Sequence, residues 1–453
     1  MKQTFTMLQK IKQLFSILWP ILVAQITMFS MNFFDTIMSG HASTPDLAGV
    51  AIGSSIWVPI GAGFGGIFVA VTPIVGQLIG AKREAEVSFK VVQGIYLALF
   101  IAILVIGGGA IALDSILLLM GLENSVLQIS RDYLLALAYG IPALFTYQVL
   151  RAFIDALGKT RITMMIAVVS LPLNVLLNYI LIFGKIGFPA LGGVGAGVAS
   201  TLTYYCMAFI ALIVISHHKL FSSYQVFKHV YRISLQEWKE QLKIGLPIGF
   251  AIFVETSIFA VVALLMSTFN TVTIAAHQVA MNFATMLYMV PLSISSALTI
   301  LVGFEVGANR LRDARQYSYL GMGMSIGMAC ICASILLLFS KEVAALYSKE
   351  AEVIKMAQHF LIYALFFQLS DAIAAPIQGT LRGYKDVNIT FLMACISYWG
   401  IGLPAGYYMA NNTPLGASGY WIGLILGLAV SAVSLFARLL VVQRRQKATR
   451  VTQ

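Results

Sequence analysis

A glutamate interrupts an apolar stretch that is long enough to cross a bilayer. Residues 245–269, GLPIGFAIFVETSIFAVVALLMSTF, contain Glu255 about eleven residues from their start. At about 1.5 Å of rise per helical residue, this carboxyl group lies near the middle of the hydrocarbon. The residues one turn away are apolar, and a charge at this depth costs roughly 2.5–3.5 kcal/mol on insertion scales. The placement predicts that Glu255 binds a proton or a cation.

Two aspartates have the same character. Asp35 lies in residues 31–40 (MNFFDTIMSG), and Asp371 lies in residues 366–383 (FFQLSDAIAAPIQGTLRG). The predicted spans hold no Lys or Arg well inside them, so the three acids have no basic partner there. Each acid must therefore be protonated, bind a metal cation, or face water and an organic cation. The pattern favours positively charged cargo.

Each aspartate also has a structural interpretation. Asp35 lies about 21 residues into its span, where it could be an interfacial residue. Against this, Asn32 and Ser39 continue a polar stripe on its helix face, and methionines such as Met31 give a soft lining for varied cations. Asp371 could instead serve a hydrogen-bonded structural role. Glu255 has the weakest structural alternative.

Other polar and aromatic residues inside the spans are weaker signals. Asn174 and Asn178 share a helix face, and they could either hydrogen-bond a protonated Asp or join two helices. Aromatic rings can offer a face to a cation. The residues predicted to line the cavity are Met31, Asn32, Tyr139, Gln278, Tyr288 and Phe367.

Composition identifies the class of protein. Of 453 residues, 59% are hydrophobic and 10% are charged, and the mean hydropathy is +0.87, whereas soluble domains carry about 25% charged residues. No small-residue cleavage site follows the first apolar core, so residues 14–38 are predicted to be a retained span. The four cysteines fall in apolar runs, which argues against disulfides or a zinc site. The chain is predicted to be an all-α polytopic membrane protein.

Twelve apolar runs reach spanning length, and the basic residues are unevenly distributed between their connections. Of 29 Lys and Arg residues, all lie in the tails and one set of alternate connections except Arg131, Lys185, Lys341, Lys349 and Lys355. By the positive-inside rule both termini are cytoplasmic, and the +11 charge reflects topology rather than nucleic-acid binding. The predicted organisation is a cytoplasmic tail (1–13), an N-lobe of six spans (14–216), a cytoplasmic loop (217–243), a C-lobe of six spans (244–440) and a basic cytoplasmic tail (441–453).

The two sets of six spans are repeats. Shifting the first set by 227 residues places Pro20 on Pro247 and Arg83 on Arg310. Since each copy has an even number of spans, both copies insert with the same orientation. This predicts two parallel six-helix lobes with a binding cavity at their seam.

Five sequence fragments resemble one transporter family. They are FFDTIMSG at 33–40, LRAFIDALGKTR at 150–161, LPLNVLLNYILIFG at 171–184, AAHQVAMN at 275–282 and LRGYKD at 381–386. Together they resemble the NorM branch of the multidrug and toxic compound extrusion (MATE) family, from about residue 19 to about residue 440. The resemblance implies the MATE fold, alternating access, and export of amphipathic organic cations in exchange for Na⁺ or H⁺.

The resemblance also implies roles for single residues. Glu255 and Asp371 fall where the NorM branch places its C-lobe cation site, and they would hold Na⁺ if Na⁺ is the coupling ion. Asp35 falls where the family has its N-lobe acid, and Asn178 is similar to the asparagine that accompanies that acid. Some NorM-like members have a Tyr one turn before the second C-lobe acid, where this chain has Phe367. Because hard cations bind several oxygen ligands, the missing hydroxyl slightly favours H⁺, and Na⁺ stays open.

The predicted function is secondary active multidrug export across the cell membrane, with antibiotic resistance as its consequence. The partners expected are small organic cations, membrane lipid, and Na⁺ or H⁺ as coupling ion; no other cofactor is expected, and the chain is expected to be a monomer. A flippase-type exporter of lipid-linked or metabolite cargo is the alternative, and anionic cargo of that kind calls for Lys or Arg in the cavity. A membrane-embedded enzyme needs a nucleophile–base pair or a metal-ligand cluster within a span, and the sequence shows neither.

Overall fold

The computed structural model describes residues 3–347 and 350–451. Within these ranges the chain forms helices and no β-strand. Twelve helical segments among the described residues are long and apolar enough to cross a membrane. The predicted all-α fold with twelve spans is therefore confirmed.

Ten of the spans consist essentially of a single α-helix, and two are interrupted. One interrupted span, Thr44–Gly80, is made of two helices, and the other, Asn388–Asn412, contains a π-helical turn at Cys395–Gly402. A short 3₁₀ turn, Glu84–Glu86, precedes the fourth helix. The α-helices are α1 (Met7–Ala42), α2 (Thr44–Phe68), α3 (Val71–Gly80), α4 (Val87–Leu119), α5 (Asn124–Ala156), α6 (Thr160–Phe183), α7 (Gly193–His217), α8 (Leu235–Met266), α9 (Thr271–Gly307), α10 (Leu311–Tyr347), α11 (Ala351–Gly383), α12 (Asn388–Ala394), α13 (Leu403–Asn412) and α14 (Ala417–Val451).

The helices extend beyond the apolar runs that predicted them. The first begins at Met7, within the predicted tail, and α8 begins at Leu235, within the predicted loop. The helix that carries Asp371 continues through Pro376 to Gly383, past the last residue of its apolar run. An apolar run marks the part of a helix that fits the hydrocarbon, whereas backbone hydrogen bonding continues into polar residues at either end.

Contacts divide the chain into two compact units. Unit 1 comprises Met1–Leu22 and Phe250–Gln453, and unit 2 comprises Val23–Gly249. The lobe boundaries 14–216 and 244–440 stay a prediction, because the units divide the chain within helices rather than between them. The first part of α1 belongs to unit 1, and the first part of α8 belongs to unit 2.

Buried ionic contacts hold each of these helix starts within its unit. In unit 1, Lys10 on α1 is 1% exposed and pairs with Asp313 on α10 at 2.9 Å. In unit 2, Glu237 on α8 pairs with Lys90 on α4. The 227-residue shift between the repeats places Lys10 on Glu237. These equivalent positions carry opposite charges, so one pairs with an acid and the other with a base.

An aromatic group in unit 1 packs α8, α9, α11 and α14 together. Trp421 is fully buried and stacks on Phe360, with ring centroids 6.0 Å apart. His277 lies edge-on against both rings, so it fills a packing role here. Phe367 packs against Phe259 with ring centroids 5.7 Å apart. Because Asp371 follows Phe367 by one helical turn, this packing fixes the face of α11 that carries the acid.

Candidate functional site

Asp35 lies in unit 2, where α1 meets α6 and α7, and it is only 3% exposed. Asn178 Nδ2 donates a hydrogen bond of 2.6 Å to one carboxyl oxygen, and Ser200 Oγ donates one of 2.6 Å to the other. The same Asn178 amide also donates to Asn174 Oδ1 at 3.2 Å. We call these four residues the Asp35 cluster. Both oxygens of the acid are satisfied by neutral donors, and the described residues place no basic side chain in an ion pair with it.

A small cavity of about 20 Å³ opens beside the Asp35 cluster. Two buried amide atoms of the cluster, Asn174 Nδ2 and Asn178 Oδ1, have no hydrogen-bond partner of good geometry among the described residues. A polar cavity of this size can hold one water-sized guest. The cavity therefore has room for one water molecule or one small ion without its hydration shell, next to an acid. The lining residues, which include the predicted Met31 and Asn32, are Met28, Met31, Asn32, Asp35, Asn174, Ser200, Thr203 and Tyr204.

A second group of polar residues lies in unit 1, at the junction of α8, α9 and α11. Tyr288 Oη donates a hydrogen bond of 3.1 Å to Glu255 Oε1, and the Gln378 amide is a second hydrogen-bonding neighbour of that carboxylate. Asp371 is 3% exposed and interacts electrostatically with Glu255. With Arg382, these residues form what we call the Glu255 cluster. The structure thus brings together the two acids predicted for the C-lobe.

Arg382 corrects the expectation that the acids have no basic residue near them, although it lies at the end of a span rather than well inside it. Because α11 continues to Gly383, Arg382 stays on the helix, and its side chain is only 8% exposed. Its Nη2 atom donates a long hydrogen bond of 3.5 Å to Gln378 Oε1, and its charge interacts with Glu255. No direct ion pair joins the two among the described residues, so Gln378 lies between acid and base.

The π-helical turn contributes a further residue that the sequence did not single out. Tyr398 is 1% exposed and lies near Glu255 and Asp371. Its hydroxyl has no hydrogen-bond partner of good geometry among the described residues. The hydroxyl missing at Phe367 therefore has counterparts in Tyr288 and Tyr398.

Of the predicted lining residues, Tyr288 belongs to the Glu255 cluster, Met31 and Asn32 line the cavity beside the Asp35 cluster, and Phe367 packs in the aromatic group. The other two, Tyr139 and Gln278, have other contacts. Tyr139 on α5 is 75% exposed, and its backbone oxygen accepts a hydrogen bond from Tyr205 at 3.0 Å. Gln278 on α9 is exposed and donates to Asn282 Oδ1 at 3.0 Å. Neither contact involves an acid.

A comparison with known sequences identifies the family. The profile of the MatE family matches residues 20–180 and 247–408, which is more than half of the chain and one segment in each repeat. The chain belongs to the MATE family. This confirms the family predicted from the five fragments, and it makes the protein a multi-pass member of a family of membrane transporters.

Relatives place this MATE protein in the NorM-like branch. It is 54% identical over 454 residues to the probable multidrug resistance protein NorM of Halalkalibacterium halodurans, covering 100% of this chain and 99% of the relative. It is 56% identical over 445 residues to the protein of the same name from Bacillus subtilis, covering 98% of each.

Solved structures share the fold. A crystal structure of a eukaryotic MATE transporter has a TM-score of 0.88 at 22% identity, covering 98% of this chain and 99% of that one. An outward-facing multidrug resistance MATE transporter also has a TM-score of 0.88, at 17% identity, covering 99% of this chain and 100% of that one. At these identities the likeness concerns the fold alone.

Proposed function

We propose that this MATE protein exports amphipathic organic cations in exchange for Na⁺ or H⁺ by alternating access. The observation that supports the proposal is the pairing of Glu255 with Asp371 inside unit 1. When both acids and Arg382 are ionised, the Glu255 cluster carries one net negative charge. Buried charge of this kind calls for a positive passenger or a proton to balance it.

The names of the NorM relatives support a drug-like cargo. Both NorM relatives are described as probable multidrug resistance proteins. We extend that description to this chain as small organic cations, because Asp35 and Glu255 each lie in a cluster without an excess of positive charge. The alternative of an anionic, lipid-linked cargo calls for the opposite balance.

The mechanism that follows is an exchange of charges at the acids. In an outward-open state, Na⁺ or H⁺ reaches the carboxylates and neutralises them, so a bound drug cation loses its counter-charge and leaves. The ion-loaded protein then returns to an inward-open state, where drug displaces the ion. Linkage requires reciprocity, so an ion that weakens drug binding must itself be weakened by drug.

The same proposal includes a location and an orientation. The twelve candidate spans among the described residues make this a multi-pass membrane protein. The excess of Lys and Arg on one side supports cytoplasmic termini in a bacterial cell membrane. We propose that the monomer is the working unit.

Efflux from loaded cells tests the function. Cells that lack their own exporters and express this protein are loaded with a fluorescent lipophilic cation, and the external Na⁺ concentration and pH are varied independently. We expect faster efflux than in control cells, accelerated by one of the two inward ion gradients. Efflux at the control rate under every gradient would contradict the proposal.

A further inference from the structure

The connection between α7 and α8, residues 218–234, is folded onto unit 2. Phe221 is 1% exposed and packs against an aromatic ring of α5. Gln93 on α4 is fully buried, and its side chain donates a hydrogen bond of 2.6 Å to the Arg232 carbonyl oxygen and accepts one of 3.0 Å from the Ser234 amide. Because buried groups of unit 2 hold its backbone, the connection presents a fixed outer side.

This outer side combines basic with apolar side chains. Val230 is 94% exposed, and Phe227 and Ile233 are exposed as well. In water these apolar side chains would lack the stabilisation that burial gives. Exposed bases lie between and beside them. We call the following six residues the basic loop face: Lys219, Phe227, Lys228, Val230, Arg232 and Ile233.

The positive charge of the basic loop face is not balanced within the connection. From His217 to Leu235 the sequence holds three Lys or Arg residues and no Asp or Glu. The acids that come before and after this stretch are already paired, Asp155 with Arg151 at 3.5 Å and Glu237 with Lys90. The three bases of the face form no ion pair with the residues that the structure describes. Such a surface calls for an anionic partner.

A stripe of exposed apolar side chains on α7 leads to this face. Tyr205, Phe209 and Ile213 are exposed and recur every four residues, so they lie on one side of the helix. Leu220, also exposed, follows just after the helix ends at His217. On a spanning helix, a stripe of this kind meets the acyl chains of lipid. The basic loop face therefore lies where acyl chains give way to headgroups.

We propose that the basic loop face binds the headgroups of anionic phospholipids at the membrane surface. A lipid surface has both properties that the face requires, because its phosphates are negatively charged and its headgroup–acyl boundary accepts apolar side chains. Each base beside an anionic lipid surface strengthens binding about fivefold, so the three bases together contribute about 100-fold. The proposal does not depend on the cargo or on the coupling ion.

Lipid retention by the purified full-length protein tests the proposal. The protein is immobilised in dodecyl maltoside micelles that contain radiolabelled dioleoylphosphatidylglycerol or, in a parallel experiment, radiolabelled dioleoylphosphatidylcholine. The lipid retained per protein is counted as its mole fraction is raised. We expect the wild type to bind the anionic lipid at least about tenfold more tightly than the neutral one. The triple variant Lys219→Gln/Lys228→Gln/Arg232→Gln is expected to lose this preference and to keep its affinity for phosphatidylcholine.

Two sets of control variants separate the face from the total charge and from folding. Lys12→Gln/Arg312→Gln/Arg444→Gln removes the same charge from exposed positions of unit 1 and is expected to change the affinity less than about twofold. Val230→Glu is expected to lower the affinity for phosphatidylglycerol about fivefold, and Val230→Lys to raise it about fivefold. Because this side chain is 94% exposed, both variants should melt at the wild-type temperature.

Competition distinguishes a lipid surface from soluble anions. Glycerol 1-phosphate and a hexaglutamate peptide, each in about tenfold excess over the lipid, are not expected to displace it, because neither offers an apolar boundary to the exposed side chains. Full displacement by either would assign the face to a soluble phosphate or an acidic protein and overturn the proposal. Equal affinity of the wild type for the two lipids, or a triple variant that keeps the preference, would overturn it as well.

Discussion

The Tyr288 hydroxyl donates a hydrogen bond of 3.1 Å to Glu255 Oε1, and this contact joins α9 to α8. A hydrogen bond to an ionised carboxylate is stronger than one between neutral groups. Tyr288 therefore favours the charged form of Glu255, the form that can attract a cation.

Removing this hydroxyl is expected to change the affinity of unit 1 for its coupling ion, in opposite directions for Na⁺ and H⁺. In Tyr288→Phe, the ionised form of Glu255 loses a donor that is worth about 1.5 kcal/mol, so the Na⁺ concentration for half-maximal efflux should rise about tenfold, whereas the H⁺ concentration should fall about tenfold. The measurement is drug efflux against external Na⁺ and against pH. Tyr407→Phe, on an exposed position of α13, is the matched control and should not move the curve. An unchanged ion dependence in Tyr288→Phe would show that the contact plays no part in coupling.

The Asp35 cluster predicts a loss of stability in Ser200→Ala. Ser200 supplies the donor to one oxygen of a carboxylate that is 3% exposed, and an unsatisfied buried acceptor costs about 1–3 kcal/mol. Thermal unfolding in detergent should show this loss. In Ser30→Ala, on α1, the hydroxyl that is lost bonds, among the described residues, to the backbone of its own helix alone, and the melting temperature should stay as in the wild type. Equal melting temperatures for the two variants would mean that the bond to Asp35 contributes nothing.

Tyr398→Phe is expected to lower ion-coupled efflux without lowering the stability of the protein. Its buried hydroxyl has no partner of good geometry among the described residues, so its removal should leave stability unchanged or raise it by up to about 1 kcal/mol. Na⁺-dependent efflux should fall, because the acids lose a neighbouring oxygen ligand. Tyr420→Phe removes an acceptor that Asn411 uses at 3.3 Å. It should lower the stability and leave Na⁺-dependent efflux unchanged. A clear drop in the melting temperature of Tyr398→Phe would contradict this assignment.

Two neighbouring lysines at the start of α1 are expected to contribute differently to the stability of the protein. Lys10 is 1% exposed and paired with Asp313, whereas Lys12 is exposed. Lys10→Ala leaves a partly buried acid with only the longer contact to Arg310 at 3.8 Å, and it should destabilise the protein by about 1–3 kcal/mol. Lys12→Ala should be neutral within about 0.5 kcal/mol. Similar melting temperatures for both variants would exclude Lys10 as a stabilising contact.

The acids and the fold could be predicted because apolar runs differ clearly from the polar connections between them, and an acid differs clearly from the apolar residues around it. Apolar runs of spanning length define the twelve spans, and Asp35 and Glu255 are conspicuous inside them. Arg382 could not be placed, because its apolar run ends before it and only the continuation of α11 through Pro376 brings it inside. Burial of a long side chain at a helix end depends on the neighbouring helices, which hydropathy does not describe.

The remaining site residues carry no distinctive sequence signal. Ser200 lies among many small polar residues of α7, and its role depends on how α7 packs against Asp35. Tyr398 is oriented by a π-helical turn, next to glycines where α14 approaches closely. A Cβ at Gly423 would lie 2.4 Å from the Cα of Gly406, so tertiary packing rather than local propensity sets this backbone.

Displacement of the coupling ion by a drug cation tests the central claim most directly. Purified wild-type protein and Asp371→Asn are loaded with ²²Na⁺ or equilibrated with a pH indicator, and a fluorescent lipophilic cation is added while its binding is recorded. The account predicts that drug binding displaces ions from the wild type, that added ion displaces drug by the same factor, and that Asp371→Asn loses both effects. Drug binding that leaves ion occupancy unchanged, or reciprocal displacement that persists in Asp371→Asn, would contradict the claim that drug and ion compete for these acids.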